Sequence, residues 1–217
     1  MSKRMNRQQS KQKILEAAQQ LYYNNGFDET SFEEIAEACG ITKPLIRYHY
    51  GSKAQLGNEI YGKYTMKQYQ VFQQKVDALP DEYHFLERLA AYTLMTVRYY
   101  ETDEKAFRYY KQFFSCAFIY VTAELESISN LPEAAVKTDP ETTHMHYIGQ
   151  QYAFRGLLYH YVSGEIRCSA EEFERHVITA LLYGDIFETI DTDVLLANAR
   201  KIMNQVSIQF SSNFLWE

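Results

Sequence analysis

Residues 31–53 read SFEEIAEACGITKPLIRYHYGSK: a helix, a tight turn and a second helix, followed at once by the cap of a third. Ala36 is small where two helices must cross closely. Gly40, in the turn, tolerates φ > 0. Ile35, Ile41 and Ile46 are spaced to lock the second helix onto the first. What that helix leaves exposed is Thr42, Lys43, Arg47 and Tyr48, all hydrogen-bond donors. A helix held from behind that presents donors in front meets the requirement for entering a DNA groove.

The flanking sequence extends the pattern. A first helix is expected from near Ser10, with Ile14, Ala17, Ala18 and Leu21 on one face and Gly26 as its left-handed cap. Ser31 and Glu34 form a capping box, Thr42 caps the second helix of the motif, and Pro44 falls in its first turn, where a missing N–H costs nothing. Gly51 breaks the chain. Ser52 then opens a fourth helix, with Gln55 completing a second capping box and Leu56, Ile60 and Tyr64 on one face, to about Ala78. Beyond residue 80 the expected segments, 82–101, 104–129, 141–163, 170–189 and 193–213, are all helical, with no strand alternation.

Composition bounds the class. The chain has 217 residues, of which 46% are hydrophobic, enough for a core, and only 4 are Pro and 9 Gly, which favours long helices. The formal net charge of −6 argues against nucleic acid until its distribution is read. Residues 1–53 hold eight Lys/Arg against six Asp/Glu, with Lys3, Arg4, Arg7, Lys11 and Lys13 ahead of the first acid. The remainder holds fourteen against twenty-two. A basic head on an acidic body suits a protein that meets DNA at one end. Cys39, Cys116 and Cys168 fit no metal or redox spacing, which suits a reducing cytoplasm. No signal peptide and no membrane span are expected, because no apolar run approaches the ~18 residues a span needs.

The chain resembles the TetR family of bacterial transcriptional regulators. The resemblance rests on Ile14-Leu15, Ala17-Ala18, Leu21, Gly26, Thr30-Ser31, Ile35-Ala36, Gly40 to Lys43, Tyr48-His49-Tyr50, Ser52-Lys53 and Leu56, over about residues 10–60. Past residue 60 it is one of architecture. It implies an all-α fold: an N-terminal three-helix DNA-binding domain with a helix-turn-helix, residues 1–51, joined to a C-terminal helical ligand-binding and dimerisation domain, residues 52–217. Two positions depart from the family pattern. Pro44 stands where a small residue is common, and Arg47 where Tyr is common.

These departures bear on roles. Thr42 sits at a helix N-terminus that favours phosphate, and Lys43 is placed for phosphate or a base edge. Arg47, one turn on, is the best candidate for reading a base, since guanidinium pairs bidentately with guanine. Tyr48 and His49 reach phosphates if the resemblance holds; His49 reads equally well as a packing residue. Lys53 should clamp a further phosphate, while Tyr50 falls on the buried side.

One such head reads only a few base pairs, so a homodimer on a palindromic double-stranded operator is expected. Gly149, Ala153, Gly156 and His160 repeat at four-three-four spacing, and Phe173, Val177, Ala180, Leu181 and Gly184 form a second stripe. Together they would make a four-helix interface. The 19 Tyr and 13 Phe suggest an effector cavity with polar points on an apolar wall, its candidates being Tyr92, Met95, Tyr99, Phe113, Phe114, Tyr147, Phe154 and Arg155. The implied mechanism is allosteric. A small molecule shifts helix four, the two reading heads change their separation, and the repressor leaves its operator. A body that binds a protein partner instead is the alternative. No nucleotide loop, HExxH motif or nucleophile elbow points to an enzyme. No cofactor or metal is expected, since His144 and His146, two residues apart, point to different sides of a helix.

Overall fold

The structure, a computed structural model, describes residues 6–116, 139–181 and 191–217, with Ser115, Cys116, Pro140, Thr143, His144 and Tyr147 described by backbone only. The described helices are α1 (Arg7–Asn25), α2 (Phe32–Cys39), α3 (Lys43–Tyr50), α4 (Lys53–Asp77), α5 (Phe85–Thr102), α6 (Glu104–Cys116), α7 (Pro140–Val162), α8 (Ala170–Leu181) and α9 (Thr192–Gln205). Two short strands, β1 (Phe210–Ser211) and β2 (Leu215–Trp216), follow. The all-α class is therefore correct, with a terminal hairpin added. None of the described helices is long and apolar enough to cross a membrane.

The chain divides into two units. The first holds residues 1–68, 103–123 and 209–217; the second holds 69–102 and 124–208. In the first, α1 begins earlier than the apolar periodicity suggests. Asn6 accepts from the Gln9 N–H and Gln9 caps in return, a reciprocal box ahead of Ser10. The expected box of Ser31 with Glu34 is present, as is that of Ser52 with Gln55. Gly26 closes α1 at φ 101°, ψ 164°, outside the left-handed helical region.

The core of this unit is aromatic. Tyr22, Phe27, Tyr61, Tyr64, Tyr109, Phe113 and Phe214 are all buried in successive ring contacts. Gly57 lets α4 approach them. A Cβ there would sit 2.8 Å from the Phe113 ring and 2.9 Å from the Phe27 ring. The Tyr109 hydroxyl donates to the Gly57 carbonyl at 2.9 Å.

Residues 206–217 are where the helical expectation fails. α9 ends at Gln205 rather than 213, with Val206 extended. Val206, Ile208 and Phe210 alternate with polar residues, and Ser211-Ser212-Asn213 supplies turn chemistry, a period-2 signal short enough to pass as a helix tail. Phe210 pairs with Trp216 and Ser211 with Leu215. Asn213 and Phe214 both adopt φ 63°. For a phenylalanine that conformation costs about 1–2 kcal/mol. Complete burial of its ring is worth about 2–3 kcal/mol and outweighs that cost. The Phe214 carbonyl also accepts from the buried Gln68 amide at 2.9 Å, and the Asn213 carbonyl from Gln19 at 2.9 Å.

In the second unit α9 lies along α5, with Leu195, Leu196, Ala199 and Ile202 buried on one side and Ala90, Ala91, Leu94 and Val97 on the other. α7 starts at Pro140, one residue ahead of the expected start, and is capped by Asp139. Tyr161 stacks on Phe173 of α8 at 3.7 Å.

Gly57→Ala should lower stability by about 1–3 kcal/mol despite alanine's higher helix propensity, because the ring contacts leave no room for a methyl group. Urea unfolding checks this, and an unchanged midpoint would mean that α4 does not approach so closely. Phe214→Ala should cost about 3–5 kcal/mol and release the hairpin. The red-shift of Trp216, the sole tryptophan, reports that release.

Candidate functional site

The reading helix is fixed by its inner face. Ile41 and Ile46 are buried, and Tyr50, at 4% exposure, donates its hydroxyl to the Lys11 carbonyl of α1 at 3.2 Å. Gly40 turns the chain between α2 and α3 at φ 66°, and a Cβ there would meet nothing within 4 Å, so its requirement is conformational. The outer face carries Thr42, Pro44, Arg47 and Tyr48, all exposed, Tyr48 at 68%. Thr42 is the N-cap but makes no side-chain cap bond, leaving its hydroxyl available to an anion, whereas in the first turn of α3 Pro44 has no N–H and Leu45 donates to the Thr42 carbonyl at 2.9 Å.

The cations of this face differ in their surroundings. Lys43 is in an ion pair with Glu33, whose carboxyl is held below its usual range by that amine and by its own backbone N–H. Lys53 lies 3.1 Å from the Asp28 carbonyl and 4.6 Å from the centre of the Phe27 ring, a bond within its own unit. Lys11 pairs with Glu59 at 2.9 Å. Arg47 has no ion pair among the described residues. His49 is half-buried between the rings of Tyr48 and Tyr50. Burial, then Arg7 and Lys11, lowers its pKa.

One residue of this face was not singled out in the sequence. Arg7, the first residue of α1, lies with its guanidinium 5.8 Å from the centre of the Tyr48 ring. The signal was the Asn6/Gln9 capping box, which places Arg7 in an ordered first turn rather than a loose tail.

The interface stripes are distributed unequally. On α7, Gly149, Ala153 and His160 are exposed beside Met145, Ile148 and Tyr152, which are 64%, 40% and 42% exposed. A Cβ on Gly149 or Gly156 would meet nothing within 4 Å. On α8 the stripe is turned inward. Phe173, Val177 and Leu181 are buried within their own unit, and Ala180 is half-buried. The reason is bulk: large apolar side chains at that spacing fill a core, whereas small ones leave a surface that another helix can approach. Gly184 lies outside the described residues.

The effector candidates fall apart in the same way. Phe113 and Phe114 belong to the first unit, where Phe113 is in the aromatic core and Phe114 stacks on Tyr110. Tyr92, Met95, Tyr99, Phe154 and Arg155 belong to the second. There Tyr92 packs on Tyr69 and Phe72, and Met95, Tyr99 and Arg155 are buried. The Tyr147 side chain lies outside the described set. The second unit also holds a cleft of about 370 Å³ between α5, the end of α7, α8 and α9. None of the eight candidates lines it; Phe173, from the interface stripe, does.

Residues 14–60 match the model of the bacterial regulatory proteins of the tetR family. The regulator TtgR of Pseudomonas putida is 37% identical over 49 residues, and AcrR of Shigella flexneri 39% identical over 54. These matches cover 23% and 25% of this chain and of the relatives themselves, so the chain spans about a quarter of the length of the curated relatives it matches. A structure of RolR in complex with resorcinol aligns over 89% of this chain and 94% of its own with a TM-score of 0.65 at 14% identity, a likeness of fold. The likeness in sequence thus lies in the reading head and the likeness in fold extends through the body. Residues 14–60 are similar to the DNA-binding segment of the tetR family of bacterial regulatory proteins, and the likeness over the rest of the chain is one of fold.

Proposed function

We propose that this regulator is a repressor that binds a palindromic operator as a homodimer and is released by a small molecule bound in its C-terminal domain. Residues 1–51 read the DNA, and residues 52–217 receive the signal and carry the dimer contact. The supporting observation is the outer face of α3, where Thr42, Arg47 and Tyr48 stand exposed on a helix immobilised by Ile46 and Tyr50.

Within that reading, Arg47 recognises a base and Arg7, Thr42, Tyr48 and His49 contact phosphates. Lys43 and Lys53 exchange their present partners for phosphate on binding. That exchange is favourable because counterion release adds to it, whereas an exposed ion pair is worth only about 0–1 kcal/mol. The exposed face of α7 supplies the twofold contact, since its small residues allow close approach and Met145, Ile148 and Tyr152 supply apolar area. The ligand of RolR, resorcinol, is a precedent for a small effector in this fold.

Arg47→Ala should weaken operator binding by about 1–3 kcal/mol and relax selectivity over random DNA, whereas Arg7→Ala should weaken both DNAs alike and reduce the salt slope by about one. Fluorescence anisotropy across a salt series reads both, and selectivity retained by Arg47→Ala would remove its base-reading role. Ala153→Glu should yield a monomer of unchanged helix content in sedimentation analysis. A dimer that persists would exclude α7 as the interface.

A further inference from the structure

Two acids open α2, and the helix end uses one of them. The Glu34 carboxylate accepts from the Ser31 N–H at 2.7 Å and from the Ser31 hydroxyl at 2.9 Å, which closes the capping box. Glu33 takes no part in that box. Its exposed carboxylate pairs instead with the ammonium of Lys43, the first residue of α3. Lys43, then the backbone N–H of Glu33 itself, hold the carboxyl below its usual range, and the charge of Arg47 adds in the same direction. Lys43 and Arg47 are four residues apart, neighbours on one face of α3. One carboxylate therefore stands in the field of both cations of the reading helix.

Position and charge together limit what this carboxylate can meet. The N-terminal residues of a reading helix are the ones that contact base edges. Glu33 is bonded to the head group of such a residue, which places its oxygens at the edge of the groove when α3 is seated. An ionised carboxylate accepts hydrogen bonds and donates none. In the major groove guanine presents two acceptors and thymine an acceptor and a methyl group. Adenine sets its amino donor beside an acceptor, and cytosine presents an amino donor alone. A carboxylate in this place matches cytosine and rejects guanine, the reverse of the preference of a guanidinium.

We infer that Glu33 is a specificity-determining residue of the reading face, accepting a hydrogen bond from the amino group of a cytosine in the operator. This role rests on the DNA-reading function proposed above and adds an acceptor to its donors. In the free protein Lys43 neutralises the carboxylate. When α3 enters the groove, Lys43 passes to a phosphate and Glu33 is left to find a new donor. A site with cytosine supplies one. A site with guanine or thymine leaves an unpaired charge among acceptors, and that repulsive element discriminates between sequences.

The test selects preferred duplexes from a random-sequence pool with the full chain, sequences them, and measures the affinity of the best site and of its single-base variants by anisotropy at fixed salt. The expected parent site requires cytosine at one position of each half-site, where other bases weaken binding about 5- to 100-fold. Glu33→Ala should lose the preference at that position alone. Glu33→Gln should move it to adenine, whose N6 and N7 fit an amide. Both substitutions are at an exposed position, and circular dichroism should show unchanged helix content. Lys43→Gln should keep the cytosine preference and reduce the salt slope by about one. Loss of an ion pair or of a charge at the helix end changes affinity for all sequences alike, so base reading is what moves the preference at a single position. The assignment is overturned if both Glu33 variants select the same bases as the parent, if they relax a base other than cytosine, or if Lys43→Gln loses the cytosine preference. A parent that enriches no sequence overturns the DNA-reading function itself, and this assignment with it.

Discussion

The ring of Phe214 is enclosed by Tyr23 of α1, Tyr64 of α4 and Tyr109 of α6, with centroid distances of 5.1, 4.5 and 5.0 Å. A three-helix head of some fifty residues has little interior of its own, since a small domain buries a small fraction of its surface. Here that shortfall is met by residues distant in sequence, α6 and the terminal hairpin, which contribute Tyr109, Phe113 and Phe214 to the same core. The helix-turn-helix therefore stands on a base assembled from three separated stretches of chain. Gly57 is the condition for that assembly, because a side chain at that position would hold α4 away from both phenylalanine rings.

The same arrangement shapes the electrostatics of the reading face. α2 carries Glu33 and Glu34 in its first turn, where the helix N-terminus favours acids. Glu33 then pairs with Lys43, so one of the two cations on α3 is partly neutralised by the helix beside it. Lys53 is bonded to the loop before α2. Arg47 is left with its charge unopposed by any ion pair among the described residues.

The reading head was legible because its signals are local. Caps, a turn glycine and three isoleucines sit within twenty residues, and each is a statement about a neighbour a few positions away. The hairpin was not legible. Its strands are two residues each, and what stabilises them is the remote ring stack around Phe214 and the amides of Gln19 and Gln68, which no window on the sequence contains. The stripes on α7 and α8 show a second limit. Periodicity marks a face without saying what covers it, and only side-chain size separates the open face of Gly149 and Ala153 from the buried one of Phe173 and Val177. The aromatic residues of the body illustrate a third. Their abundance was visible, but Phe113 and Tyr92 serve different units, and chain order alone does not assign them.

Connectivity turns this division into a mechanical constraint. The chain passes between the units within α4 at residues 68 and 69, between α5 and α6 at 102 and 103, and between α9 and the hairpin at 208 and 209, among other crossings. The crossing at α5 and α6 is a single residue, Asp103, whose carboxylate both caps α6 and accepts from Tyr23. The hairpin crossing is clamped by two backbone hydrogen bonds between Gln209 and Glu217. The crossings at Asp103 and at the hairpin are both tied down at their ends in the first unit. Within the first unit, Asp103 and Phe214 both meet Tyr23 of α1, the helix to which α3 is bonded through Tyr50 and the Lys11 carbonyl.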